Sequence, residues 1–138
     1  MKRWEHFEHQ ADIGVRGIGR TVDEAFQQAA LSMTAVILDP ASVQPVESIE
    51  ISCEADDLET LLVDWLNAVI YEMAVRRMLF SRFEVRIDQN KLNAKVWGEK
   101  MDAQRHHPTV EVKAATYHSL AVRQGTKGEW IAECVVDV

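Results

Sequence analysis

The stretch from Asp57 to Arg77 leaves few choices of fold. Leu58, Leu61, Leu62, Trp65, Leu66, Val69, Ile70 and Met73 recur at steps of three and four residues, which gathers them into one stripe of an α-helix. Asp56, Asp57 and Glu59 set negative charge at its start, and Arg76 and Arg77 set positive charge at its end. Both ends suit the helix dipole. A stripe this apolar has to be buried against another element. A second helix is predicted from Thr21 to Ile37, where Val22, Ala25, Phe26, Ala29, Ala30, Met33, Val36 and Ile37 share a face. Thr21 and Glu24 form a capping box at its start. It should stop near Asp39, because Pro40 disfavours a helical residue before it.

The remainder reads as strands. Lys2 to Glu8 and Ile13 to Ile18 flank a polar elbow at His9 to Asp12, and Val46 to Cys53 alternates apolar with polar. Phe83 to Ile87 and Leu92 to Trp97 flank a hairpin connection, Asp88 to Lys91. Val110 to Ala114 also alternates. Ser119 to Arg123 and Trp130 to Val136 flank a second hairpin at Gly125 to Gly128, whose glycines admit positive φ. Met101 to Pro108 reads as the one long loop. The expected fold class is α+β: a curved, mostly antiparallel sheet with two amphipathic helices packed on one face. A chain of 138 residues can bury a real core as one domain spanning 1–138, without disulfide or metal staples.

The charge balance narrows the partners. With 22 acidic against 15 basic side chains, the net charge is -7, and no basic run exceeds Arg76 and Arg77. Phosphate backbones bind Lys/Arg-rich faces, so tight direct RNA binding is disfavoured and a basic partner or a bound cation is favoured. Cys53 and Cys134 belong to no C-x-x-C pattern and read as two buried, reduced thiols. No apolar h-region follows Met1, and no apolar stretch is long enough to span a bilayer. No membrane association and a cytoplasmic location are the expectations.

Nucleophilic chemistry finds little support. There is no G-x-x-x-x-G-K-S/T loop and no G-x-S-x-G elbow. Gly14, Gly17 and Gly19 miss the dinucleotide spacing and read as turn or close-packing glycines. His106 and His107 are adjacent imidazoles, but a zinc site needs further ligands, so a solvated loop is the simpler reading. Asp12 reads either as a turn cap or as a functional acid at the elbow. The segment Glu133 to Val138 closes the sequence inside an apolar strand, with Asp137 one residue from the end. Asp137 and the terminal carboxylate, placed beside a third acid, would call for a hard cation such as Ca²⁺ or Mg²⁺.

Several motifs appear in order along nearly the whole chain. They are H-x-A-D-I-G at His9 to Gly14, T-x-x-E-A-F at Thr21 to Phe26, and L-x-x-L-L-V-D-W-L-N at Leu58 to Asn67. W-G-E at Trp97 to Glu99 and E-V-K-A-x-T-Y-H at Glu111 to His118 follow, then the late Asp137 with one apolar residue after it. Together they resemble the archease family. That family usually has Thr where Gln10 stands and often Ile where Val138 stands, and neither side chain supplies a ligand oxygen.

The resemblance implies an activating protein cofactor of an RtcB-type RNA ligase, not an enzyme complete in itself. Such a ligase joins a 3′-phosphate or 2′,3′-cyclic phosphate RNA end to a 5′-hydroxyl end, using GTP, Mn²⁺ and a guanylylated histidine. The helper promotes guanylylation and multiple turnover, with tRNA splicing as the usual pathway, and meets RNA only through the ligase. The resemblance also implies a divalent cation held by oxygens of Asp12, Asp137 and Val138, with Ca²⁺ first and Mg²⁺ or Mn²⁺ as alternatives. Glu99, Lys113 and His118 are carried over as partner contacts, although Lys113 shares a face with Glu111 and reads equally as a solvated side chain. Trp97 reads as core. The rival reading is a stand-alone metal-dependent hydrolase or nucleotide-binding enzyme using the same acids. A third is a general chaperone or an RNA-modification helper.

Overall fold

A computed structural model describes residues 2–138. The chain starts with an antiparallel pair, β1 (Arg3–His9) and β2 (Asp12–Gly19), and continues into α1 (Val22–Ile37). After a 3-10 turn at Pro40–Ser42 come β3 (Glu47–Glu54), α2 (Leu58–Arg76), β4 (Met78–Asp88) and β5 (Lys91–Lys100). The one-turn helix α3 (Ala103–His106) and the strands β6 (Ala114–Ala115), β7 (Ala121–Gln124) and β8 (Trp130–Asp137) complete it.

Both long helices begin as their sequences require. The Thr21 hydroxyl accepts from the Glu24 N–H at 3.1 Å, and the Glu24 carboxylate accepts from the Arg20 N–H at 2.8 Å. Asp57 caps α2 by accepting from the Thr60 N–H at 2.7 Å. α2 ends on Arg77 in the left-handed region, φ 53°, with its N–H donated to the Met73 carbonyl. The chain turns directly from there into β4.

The α+β class stands, with every strand pair antiparallel. The strands divide into two sheets, however, where one was expected. One sheet runs β1-β2-β8-β6, with β7 also paired to β8; the other runs β3-β5-β4. The reason lies in α1, which sits where the joining strand would be. Its Gln27 and Asp23 side chains accept from the Val85 and Ile87 N–H groups at 2.9 and 3.3 Å, so the open edge of β4 is satisfied by helix side chains. On its other side, the Ser32 hydroxyl donates to the Glu5 carbonyl of β1 at 2.9 Å. Gly17 of β2 lies so close to the α1 backbone that a Cβ there would meet the Ala25 carbonyl and the Ala29 nitrogen. That glycine serves close packing, as read from the sequence.

One cluster of buried residues joins the two sheets and both helices, including Val15, Phe26, Leu62, Trp65, Phe80, Val96 and Val136. Trp65 is fully buried; its indole N–H donates to the Phe26 carbonyl at 3.1 Å and its ring meets Phe83 edge-on. Cys134 is buried, and desolvation pushes its thiol up to about 12, against a smaller opposing effect from the Thr116 backbone. Cys53 is only half-buried, which corrects half of the two-buried-thiols reading.

Four other expectations change. Trp97 is not core. It lies on the outer face of the three-stranded sheet, with the Arg82 guanidinium 4.5 Å and the Lys95 ammonium 5.4 Å from its ring centre. Residues 110–113 are not a strand, because no strand lies alongside to pair with them. They form an extended strap tied by Thr109 N–H to the Ile37 carbonyl and by Lys113 N–H to the Asp137 carbonyl, both at 2.8 Å. Its alternation survives as burial: Val112 is inside, and Glu111 and Lys113 are exposed. Residues 101–108 contain α3, and His106 is buried instead of solvated. Among the described residues, no helix is long and apolar enough to cross a membrane.

Candidate functional site

The β2–β8 ladder carries Ile13 opposite Val136. Asp12 is the first residue of β2 and Asp137 the last of β8, so both acids lie at this end of the ladder. Each acid is held by its own main chain. Asp12 closes the tight turn with His9, across Gln10 at φ 50°. Asp137 pairs with Ala114 and accepts the Lys113 N–H on its carbonyl. Val138 follows, partly buried and packed on the core.

The same end gathers two imidazoles. The rings of His9 and His118 lie 5.9 Å apart, tilted by 33°. The Nδ1 atom of His9, the residue paired with Asp12 across the turn, is buried with no hydrogen-bond partner among the described residues. The loop that carries His118 is pinned to β8. Thr116 donates both its amide and its hydroxyl to the Val135 carbonyl, at 3.0 and 2.8 Å, and the His118 carbonyl accepts the Val135 N–H at 3.0 Å. Tyr117, between them, is largely exposed.

A residue given no site role in the sequence reading completes the support. Asn67, at the end of the α2 motif, accepts the Ala115 N–H on Oδ1 at 2.9 Å and donates from Nδ2 to the Ala115 carbonyl at 3.3 Å. This two-way clamp fixes the short strand β6 against α2 and so fixes the chain that leads to Thr116 and His118. The sequence signal was a lone amide at the polar edge of an apolar helix motif.

Asp12, Asp137, Val138, Lys113 and His118 therefore belong to one end of the five-stranded sheet. Glu99 does not join them. It lies on β5 of the other sheet, and its carboxylate is engaged internally. It accepts the Gln44 N–H at 2.7 Å, pairs with Arg105, and meets His106 Nε2 at 3.0 Å. The Asp102 N–H donates to His106 Nδ1 at 2.8 Å, which leaves the ring proton on Nε2, facing Glu99. Burial opposes charge on Glu99, but these donors outweigh it and hold its pKa down at about 2.

Chemically, the acid end offers oxygen. Among the described residues, no three His, Cys, Asp or Glu side chains converge on one point. A cation between Asp12 and Asp137 would draw the rest of its shell from water or from main-chain oxygen such as that of the adjacent Val138. Two carboxylates with main-chain oxygen fit a hard divalent ion in kind.

These features define a small α+β protein with an acidic, imidazole-flanked sheet end. Residues 4–138 match the model of the archease protein family (MTH1598/TM1083). The chain is 41% identical over 142 residues to protein archease of Pyrococcus abyssi and 40% identical over 141 residues to that of Sulfurisphaera tokodaii, with both partners covered completely. Its fold is similar to the solution structure of protein 1598 of Methanobacterium thermoautotrophicum, at TM-score 0.86 and 30% identity over 100% of both chains. It also resembles the crystal structure of an archease from Thermotoga maritima described as a possible chaperone, at TM-score 0.62 and 20% identity, covering 97% and 96% of the two chains. The chain belongs to the archease family.

Proposed function

We propose that this chain is an activating partner of an RtcB-type RNA ligase, promoting its guanylylation and repeated turnover, and that the Asp12/Asp137 end is the part that acts on the ligase. The observation that supports this reading is the β2–β8 pairing, which brings two acids far apart in the sequence to the same end of one sheet. Family membership and the net charge of -7 support an accessory role toward a basic, RNA-handling protein. RNA is then met through the ligase.

Asp12, Asp137 and a main-chain oxygen of Val138 would hold the divalent cation, with Ca²⁺ first and Mg²⁺ or Mn²⁺ as alternatives. When bound, that ion supplies positive charge with which phosphate oxygens can be oriented. The protein's own groups set the geometry. The Lys113 N–H holds the Asp137 main chain, and the Asn67 clamp with the Thr116 contacts holds the segment bearing Lys113 and His118. Lys113 and His118 are exposed and able to contact the ligase; Glu99 acts on that contact only through the fold, by fixing residues 101–108.

Ligation of 3′-phosphate and 5′-hydroxyl RNA by the cognate ligase, limiting in amount, tests this with and without the protein. Stimulated multiple turnover is expected. Hydrolysis of nucleotide or RNA by the purified chain alone would favour a stand-alone enzyme instead.

A further inference from the structure

The C-terminal half of α2 leaves apolar side chains uncovered. Tyr71, Ala74 and Val75 are all exposed, at the spacing that puts them on one side of the helix. Beside them runs a groove of about 400 Å³, within the range of sites that accept a ligand or a partner's side chains. Ile37, Met73 and Val112 are among its buried lining, while Met101 and Val110, 46% and 40% exposed, line it from outside. Three of the five methionines, Met73, Met78 and Met101, meet in this groove. Methionine is unbranched and polarisable, and it suits a surface that moulds itself to another chain's side chains.

Of the residues lining the groove only Glu111 is charged, while, within a chain of net charge -7, the side chains that adjoin its Met78 and Met101 end are cationic. Lys100 Nζ donates to the Arg76 carbonyl, and the Met101 N–H donates to the Arg77 carbonyl, both at 2.9 Å, so these cations adjoin Met78 and Met101. Arg76 is paired with Glu72, but Arg77 makes no ion pair among the described residues. An apolar, adaptable cleft with unpaired positive charge at one end calls for an occupant with an apolar face and carboxylates at the matching end. A second copy is a poor fit, since it would bring two strongly acidic chains together.

We propose that the groove between α2 and residues 108–112 docks an amphipathic helix of a partner protein, with its apolar side chains among the methionines and its carboxylates over Arg77 and Lys100. This surface is distinct from the acid end and stands or falls separately from the ligase reading. Two labelled synthetic amphipathic peptides with the same leucine face, one flanked by Glu and one by Lys, test it by fluorescence anisotropy with the intact protein. The Glu peptide is expected to bind about tenfold or more tightly than the Lys peptide. Val110→Asp should weaken it about tenfold, with Met101→Asp as a second variant should the first melt early. Arg77→Gln should reduce the preference for Glu over Lys, with at most the small drop in melting temperature that loss of one charge at a helix C-terminus brings. Binding of neither peptide, equal binding of both, or undiminished binding by the Asp variants overturns the proposal. So does sedimentation showing a wild-type dimer that Val110→Asp dissolves, which would seat a second copy in the groove.

Discussion

Trp65 and Glu99 show how single side chains hold this molecule, one by burial and one by charge. Trp65 has no exposed surface, and its only polar atom is bonded to Phe26. Trp65→Ala removes the ring from a packed interior and leaves the Phe26 carbonyl without that donor, so a loss of about 3–5 kcal/mol is expected. Urea denaturation measures it, and an unchanged midpoint would contradict the packing. Glu99 acts through pH. Its pKa is held at about 2 in the folded protein, against 4.5 as the ordinary value. A depressed carboxylate stabilises the fold fully above 4.5 and loses that contribution as pH falls toward 2. Glu99→Gln should lower stability at pH 7 and flatten the dependence between pH 4.5 and pH 2. Parallel melting curves for wild type and variant across that window would show that the clamp with Arg105 and His106 carries no weight. The burial of Trp65 was legible in the apolar stripe of its helix, but the Glu99 clamp was not. His106 looked like a loop imidazole because its partner is set by how residues 101–106 fold back on β5.

At the scale of elements, periodicity and capping located both helices, because those signals are local. They were blind to β4 before Phe83, since Met78, Leu79 and Phe80 are buried in succession without alternation and directly follow a helix end. They also turned the strap at residues 110–113 into a strand, because alternation reports which side faces the core and not whether a neighbour is available. The division into two sheets depends on Gln27 and Asp23 reaching β4, contacts that no pattern announces. Asn67 belongs here too. Its clamp on Ala115 ties α2 to the segment that ends at His118. Asn67→Ala removes two hydrogen bonds and should cost about 1–3 kcal/mol. Amide exchange at residues 115–118 should quicken more than in α1. Uniform exchange across the chain would mean that the segment is held by Thr116 alone.

For the whole molecule, two acids far apart in the chain come to the same end of one sheet through an antiparallel pairing. The sequence raised each acid as a candidate by its position, and the motifs joined them to one family, but only the pairing of β2 with β8 puts them at one end of the same sheet. The central claim is that this acidic end carries the function. Multiple-turnover ligation by the cognate ligase, with wild type, Asp12→Asn and Asp137→Asn compared at equal concentration, tests it most directly. Asn keeps the shape of Asp and removes its charge, and neither acid contributes to the core. Both variants should melt close to wild type, because neither side chain belongs to the core, and both should lose most of the stimulation. Full stimulation by both folded variants would contradict the account.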